Sequence, residues 1–116
     1  MISESELVTT VGRIEVTVLR RWVERGWVVP HQQASGPGYD EQDVARVALI
    51  CDLIYDIAIE EDSMPVVLSL IDQLHDMRRL ARVMAKAIEK QPDSVRQQIT
   101  DEVAEALSIS GYGEQS

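Results

Sequence analysis

The chain has 116 residues, 45% of them apolar, with no Phe. That length allows one domain, or a small domain with a helical extension, whose core must be built from Leu, Ile, Val and two Trp. Twenty acids against eleven bases give a formal charge of −9, which disfavours polyanionic partners.

Apolar runs of about four residues are too short for a membrane span. MISESEL has neither the basic region nor the apolar stretch of a secretion signal, and the single Cys51 leaves no internal disulfide. These features together predict a cytoplasmic protein.

Ser3 and Glu6 form a capping-box pattern ahead of Leu7, Val8 and Val11, so a first helix is predicted, ending at Gly12. A second helix is predicted from about Ile14 to Arg25, with Val18, Leu19, Trp22 and Val23 inward and Gly26 as its left-handed stop. Trp27-Val28-Val29 reads as a short strand closed by Pro30. HQQASGPG (31–38) then reads as a polar loop, and Tyr39 returns the second strand of a two-stranded wing.

Asp40, with Asp43 in the first turn, caps a third helix. Its predicted inward stripe is Val44, Val47, Ala48, Cys51, Ile54 and Ala58. Asp52, Asp56 and Glu60 follow every four residues and should form one row. They fall in the window Val47–Met77, which holds seven acids and no Lys or Arg. A solvated face is the plain account of such a row. The absence of any interleaved base favours a docking strip for a basic helix, made of Asp52, Asp56, Glu60, Glu61 and Asp62.

Ser63 and Pro65 open a fourth helix of about 26 residues, roughly 39 Å long. Val67, Leu70, Leu74, Met77, Ala81, Met84 and Ile88 recur at spacings of three and four, a heptad seam that calls for a partner helix. A second copy of the chain is the simplest partner, so a homodimer is expected. Coverage of the seam within one chain is the alternative. Pro92 breaks the helix, and residues 93–107 form another amphipathic helix on Val95, Ile99, Val103, Ala106 and Leu107. SISGYGEQS reads as a mobile tail. The predicted divisions are a winged helix-turn-helix at 1–62, the heptad helix at 63–91, and a helix with a flexible tail at 92–116.

Nothing suggests catalysis. His31 lies in the polar loop and His75 on an exposed turn near Asp72 and Asp76, which reads as surface and not as a metal site. Cys51 falls on an inward stripe. Gly36-Pro37-Gly38 is a turn and not a phosphate cradle. No enzyme activity, cofactor or metal is expected.

The order helix, turn, helix, Gly, apolar segment, Pro, Gly-rich loop, Tyr, Asp-capped helix resembles the MerR-type winged helix-turn-helix, carried by LRRWVERGWVVP…GYDEQDVARVA between Leu19 and Ala48. With PVVLSLIDQLHDMRRL the chain further resembles the CbpM-like chaperone-modulator branch of that superfamily, over residues 3 to about 90. The resemblance implies a mainly α-helical fold with a two-stranded wing and a long C-terminal dimerisation helix. It also implies binding to the J-domain of a DnaJ/CbpA-like co-chaperone, blocking that domain's productive contact with DnaK.

The chain departs from a DNA reader. Glu15, Val16 and Thr17 occupy the early positions of the second helix, and no Arg adjoins Tyr39 in the wing. Arg20, Arg21 and Arg25 are the remaining candidates for DNA contact, and Glu24 stands within ion-pair reach of Arg20 and Arg21. Two functions of different class therefore stand: an inhibitor of a J-domain co-chaperone, and a dimeric MerR-like transcription regulator.

Overall fold

The computed structural model describes residues 1–109. It contains five α-helices and one two-stranded antiparallel hairpin among these residues. No helix of the described residues is long and apolar enough to cross a membrane. Two compact units are present: Met1–Ile71, and a second beginning at Asp72.

Helix α1 spans Glu4–Val11. The capping box forms as its sequence implies: the Glu6 amide donates to Ser3 Oγ and the Ser3 amide to Glu6 Oε1, both at 3.2 Å. Gly12, at φ 73°, closes the helix by donating its amide to the Val8 carbonyl.

Helix α2 spans Val16–Glu24, two residues shorter at its start than predicted, because Glu15 is the extended N-cap and Ile14 is buried in the turn before it. Its C-terminus is a full Schellman motif. The Trp27 amide reaches back to the Trp22 carbonyl and the Gly26 amide to that of Val23, both at 3.0 Å, with Gly26 left-handed at φ 77°. The apolar contact expected of this motif joins Trp22 to Trp27, whose ring centroids are 6.2 Å apart.

The wing differs from the sequence reading. Trp27-Val28-Val29 is not a strand; β1 is His31–Gln33 and β2 is Gly36–Gly38, inside the predicted loop. His31 pairs with Gly38 and Gln33 with Gly36 across a two-residue turn. Trp27 and Val28 are buried in succession, which a half-buried strand with alternating faces would not allow. Both serve the core, tethered by Arg46, whose Nε donates to the Trp27 carbonyl. Tyr39 lies beyond the hairpin: it is fully buried and exchanges two backbone hydrogen bonds with Ile2, at 2.8 and 2.9 Å.

Helix α3 spans Glu41–Cys51, and a π-helical turn over Asp52–Asp56 continues it. The Asp40–Asp43 capping box is present, with bonds of 2.8 and 2.9 Å. Val47 and Cys51 are buried as predicted, Val44 and Ile54 partly so, and Ala48 is intermediate. Ile50 and Leu53 are buried although the predicted stripe omitted them, while Ala58 is exposed. The stripe fails at Ala58 because the helix has already ended. The Ile59 amide donates to the Leu53 carbonyl at 2.9 Å, a seven-residue closure one residue wider than that of α2, and Ala58 takes the left-handed position at φ 63°.

After a 3₁₀ turn at Glu61–Ser63, α4 spans Met64–Glu89. Its opening turns belong to the first unit: Met64 and Leu68 are buried in that core, and Val67 and Ile71 pack on it. Val67 therefore serves the core and not a free seam. In the second unit, α5 spans Asp93–Ile109, so the helix includes Ser108 and Ile109, which the tail reading had left out. The rest of the predicted tail lies outside the described residues.

Candidate functional site

The acidic segment after α3 does not stand bare. Arg13, in the turn between α1 and α2, reaches across to it. One guanidinium nitrogen lies 2.8 Å from Asp52 Oδ1 and the other 2.8 Å from Asp56 Oδ1. A further bond of 3.1 Å makes the Asp56 contact two-pronged. This bond holds the Asp56 carboxyl below its usual range and raises the Arg13 guanidinium.

A second clamp lies beside it. Glu61 receives Arg21 at 3.0 Å and Arg25 at 2.6 Å, one on each oxygen. Arg25 also lies over the Trp27 ring at 5.3 Å. Tyr55 sits between the two clamps: Arg13 stands 5.6 Å over its ring, and Arg21 and Glu61 both act on its hydroxyl electrostatically. Partial burial is the main reason its hydroxyl is harder to ionise than usual.

The predicted row therefore breaks up. Asp52 and Asp56 share one arginine; Glu60 lies beyond the end of the π turn, in extended backbone, and cannot continue the row. Glu61 points to α2. Of the five acids, Glu60 and Asp62 are left exposed, and neither has an ion pair among the described residues. The four-residue spacing of the acids was legible in the sequence, but their arginine partners lie 36 to 43 residues away and carry no local signal.

The candidate DNA-contacting arginines are engaged in the same way. Arg20 grips Glu4 through two bonds of 2.8 and 3.1 Å, which raises its pKa. Arg21 and Arg25 hold Glu61, so none of the three uses the nearby Glu24. All three remain partly accessible to solvent, at 42–65% of the side chain.

At the base of the wing, His31 Nε2 lies 3.2 Å from Asp40 Oδ2 and 3.4 Å from Asp43 Oδ2. The three ligand atoms fall within 4.8 Å of one another, a grouping the loop reading of His31 missed. Both carboxylates already cap α3, and the Asp43 amide is the main reason the Asp40 carboxyl lies below its ordinary range. The imidazole thus completes a structural cluster joining β1 to α3. Cys51 is wholly buried, and burial pushes its thiol up. His75 is exposed on α4.

On α4, Leu70, Leu74, Met77 and Met84 are 50–62% exposed, Ala81 is exposed and Ile88 half-buried. Leu80 and Val83, which the seam omitted, are 50% and 59% exposed. On α5, Val95, Val103 and Leu107 are also exposed.

These features sit on a recognisable frame. Residues 5–56 match the family model described as MerR HTH family regulatory protein. That segment has a MerR-like helix-turn-helix fold. It takes in α1, α2, the wing and α3 as far as Asp56, and so includes Arg13 and both of its aspartates. No curated protein and no solved structure matches the chain. On this frame Arg20, Arg21 and Arg25 are already bound to acids of the same chain.

Proposed function

We propose that this protein is a chaperone modulator that binds the J-domain of a DnaJ/CbpA-like co-chaperone and blocks that domain's action on DnaK. The observation that carries the reading is the pairing of Arg20, Arg21 and Arg25 with Glu4 and Glu61, on a chain of net charge −9. A phosphate backbone would have to displace these carboxylates, in addition to approaching an acidic surface. A cationic protein surface meets no such barrier. J-domains offer DnaK a basic helix, so an acidic competitor is physically suited to intercept it.

The reading includes a homodimer. The uncovered Leu70–Met84 stripe of α4 is wider than isolated surface residues require and follows a heptad spacing. Charge also divides along this helix: Asp72 and Asp76 lie in its first half, and Arg78, Arg79, Arg82 and Lys86 in its second. Antiparallel copies place opposite charges near each other and parallel copies place like charges together, so the antiparallel arrangement is favoured.

The second reading is a MerR-family transcriptional regulator, favoured by the family match over residues 5–56 and by the residual exposure of the α2 arginines. Titration of the full chain with an isolated J-domain and with a palindromic duplex, each at low and high salt, separates the two. Reversing Glu60 and Asp62 to Lys, which leaves both arginine clamps intact, is expected to weaken J-domain binding at least tenfold at low salt. Reversing Asp52 and Asp56 would instead set like charges against Arg13 and disturb the fold. Salt-steep duplex binding with no J-domain affinity would overturn the chaperone reading.

A further inference from the structure

We propose that Tyr55 and Ile57 are the apolar anchors by which this surface receives a basic amphipathic helix of its partner. The inference rests on the protein-binding reading above and names the contact that would give it strength. Charge alone at a solvated rim contributes speed and selectivity of encounter; durable affinity comes from desolvated apolar or aromatic side chains near the centre of the contact.

Three independent features meet at this segment. First, Tyr55 and Ile57 flank Asp56 and are 46% and 64% exposed, two large apolar side chains left open on either side of a carboxylate. Second, the backbone here is irregular: the π turn over Asp52–Asp56 is followed by left-handed Ala58, a residue with a Cβ in a region that favours glycine. Such geometry at an exposed site marks a place where side-chain presentation outweighs local stability. Third, the Tyr55 ring is pre-ordered, because the guanidinium above it is fixed by Asp52 and Asp56. A ring already held in place loses little freedom on docking.

Charge defines the occupant. Asp56, Glu60, Glu61 and Asp62 lie within a few residues of the anchors along the chain, Glu61 acts electrostatically on Tyr55, and no Lys or Arg occurs from Val47 to Met77. A helix with one apolar face bordered by Lys or Arg would bury its apolar residues on Tyr55 and Ile57 while its cations met Glu60 and Asp62, the acids without an ion pair among the described residues. Arg13 is a positioning residue in this scheme: it holds Tyr55 and does not touch the partner.

The test uses the full chain and an isolated J-domain of a DnaJ-like co-chaperone, with affinity measured by calorimetry and folding checked by circular dichroism. Tyr55→Ala is expected to weaken binding at least tenfold and Ile57→Ser several-fold, with α-helical content unchanged. Tyr55→Phe, which keeps the ring, is expected to bind within about twofold of the parent. Arg13→Gln should weaken binding less than Tyr55→Ala and raise its entropic cost. If the parent binds and both anchor variants bind equally well, the anchor assignment is overturned and the chaperone reading survives. If the parent binds no J-domain, both fall. If a DNA duplex binds instead and Tyr55→Ala weakens it, the occupant is nucleic acid and the inference is overturned.

Discussion

Leu74→Asp examines the dimer. Fully burying a Leu or Met side chain stabilises by about 1.5–3 kcal/mol. Leu74 is 50% exposed in the single chain, so about 1 kcal/mol of that remains to be gained on association. Leu70, Met77 and Met84 are as open or more so. Two copies of this stripe therefore offer roughly 8 kcal/mol, against an association cost of about 4–15 kcal/mol. The balance is close, so a single seam residue should decide it. The substitution removes about 2 kcal/mol across two copies and sets two carboxylates in an apolar seam, each costing about 1–3 kcal/mol. The expected loss of about 4–8 kcal/mol corresponds to at least about a thousandfold weaker dimer. The monomer should stay folded, because Leu74 lies outside the core of the first unit. Sedimentation velocity over a wide concentration range, with circular dichroism alongside, reads both outcomes. A folded Leu74→Asp chain with unchanged dimer affinity would refute the seam, as would a parent chain that never dimerises.

Three further expectations concern stability. Asp56 has its folded pKa depressed by Arg13, so its contribution is present above the unfolded carboxylate value of about 3.9 and is lost as pH falls through the lower folded value. Thermal melts between pH 5 and pH 2 should therefore fall less steeply for Asp56→Asn than for the parent; equal slopes would contradict the clamp. Ala58→Gly should stabilise by up to about 1.6 kcal/mol in urea melts, since relief of the left-handed Cβ clash, about 1–2 kcal/mol, matches or exceeds the entropy cost of glycine, about 0.4–1 kcal/mol. A loss of stability would mean that Ala58 is not strained. Met64→Ala should cost about 2–5 kcal/mol in the same melts, because the side chain is fully buried at the start of α4. A cost below 1 kcal/mol would place the start of α4 outside the core.

Local signals settled what local physics controls. Both capping boxes, the left-handed stops at Gly12 and Gly26, the length of α4 and the apolar spacing along it follow from residues within a few turns of one another. The helical MerR-type architecture was legible for the same reason: side chains three and four apart share a helix face whatever the rest of the chain does. Three features depended on distant contacts. Trp27 and Val28 read as a strand but went to the core, because Trp22, the Schellman closure and Arg46 outcompeted strand pairing. His31 read as loop surface until pairing with Gly38 carried it to the Asp40–Asp43 cap. The acids from Asp52 to Glu61 read as a bare row, because sequence spacing assumes a helix that continues and cannot show arginines brought from 36 to 43 residues away. The sequence alone determined that this protein is negative and helical. Only the tertiary structure decided which of its charges remain unpaired, because Coulombic pairing depends on distance in space and not on separation along the chain.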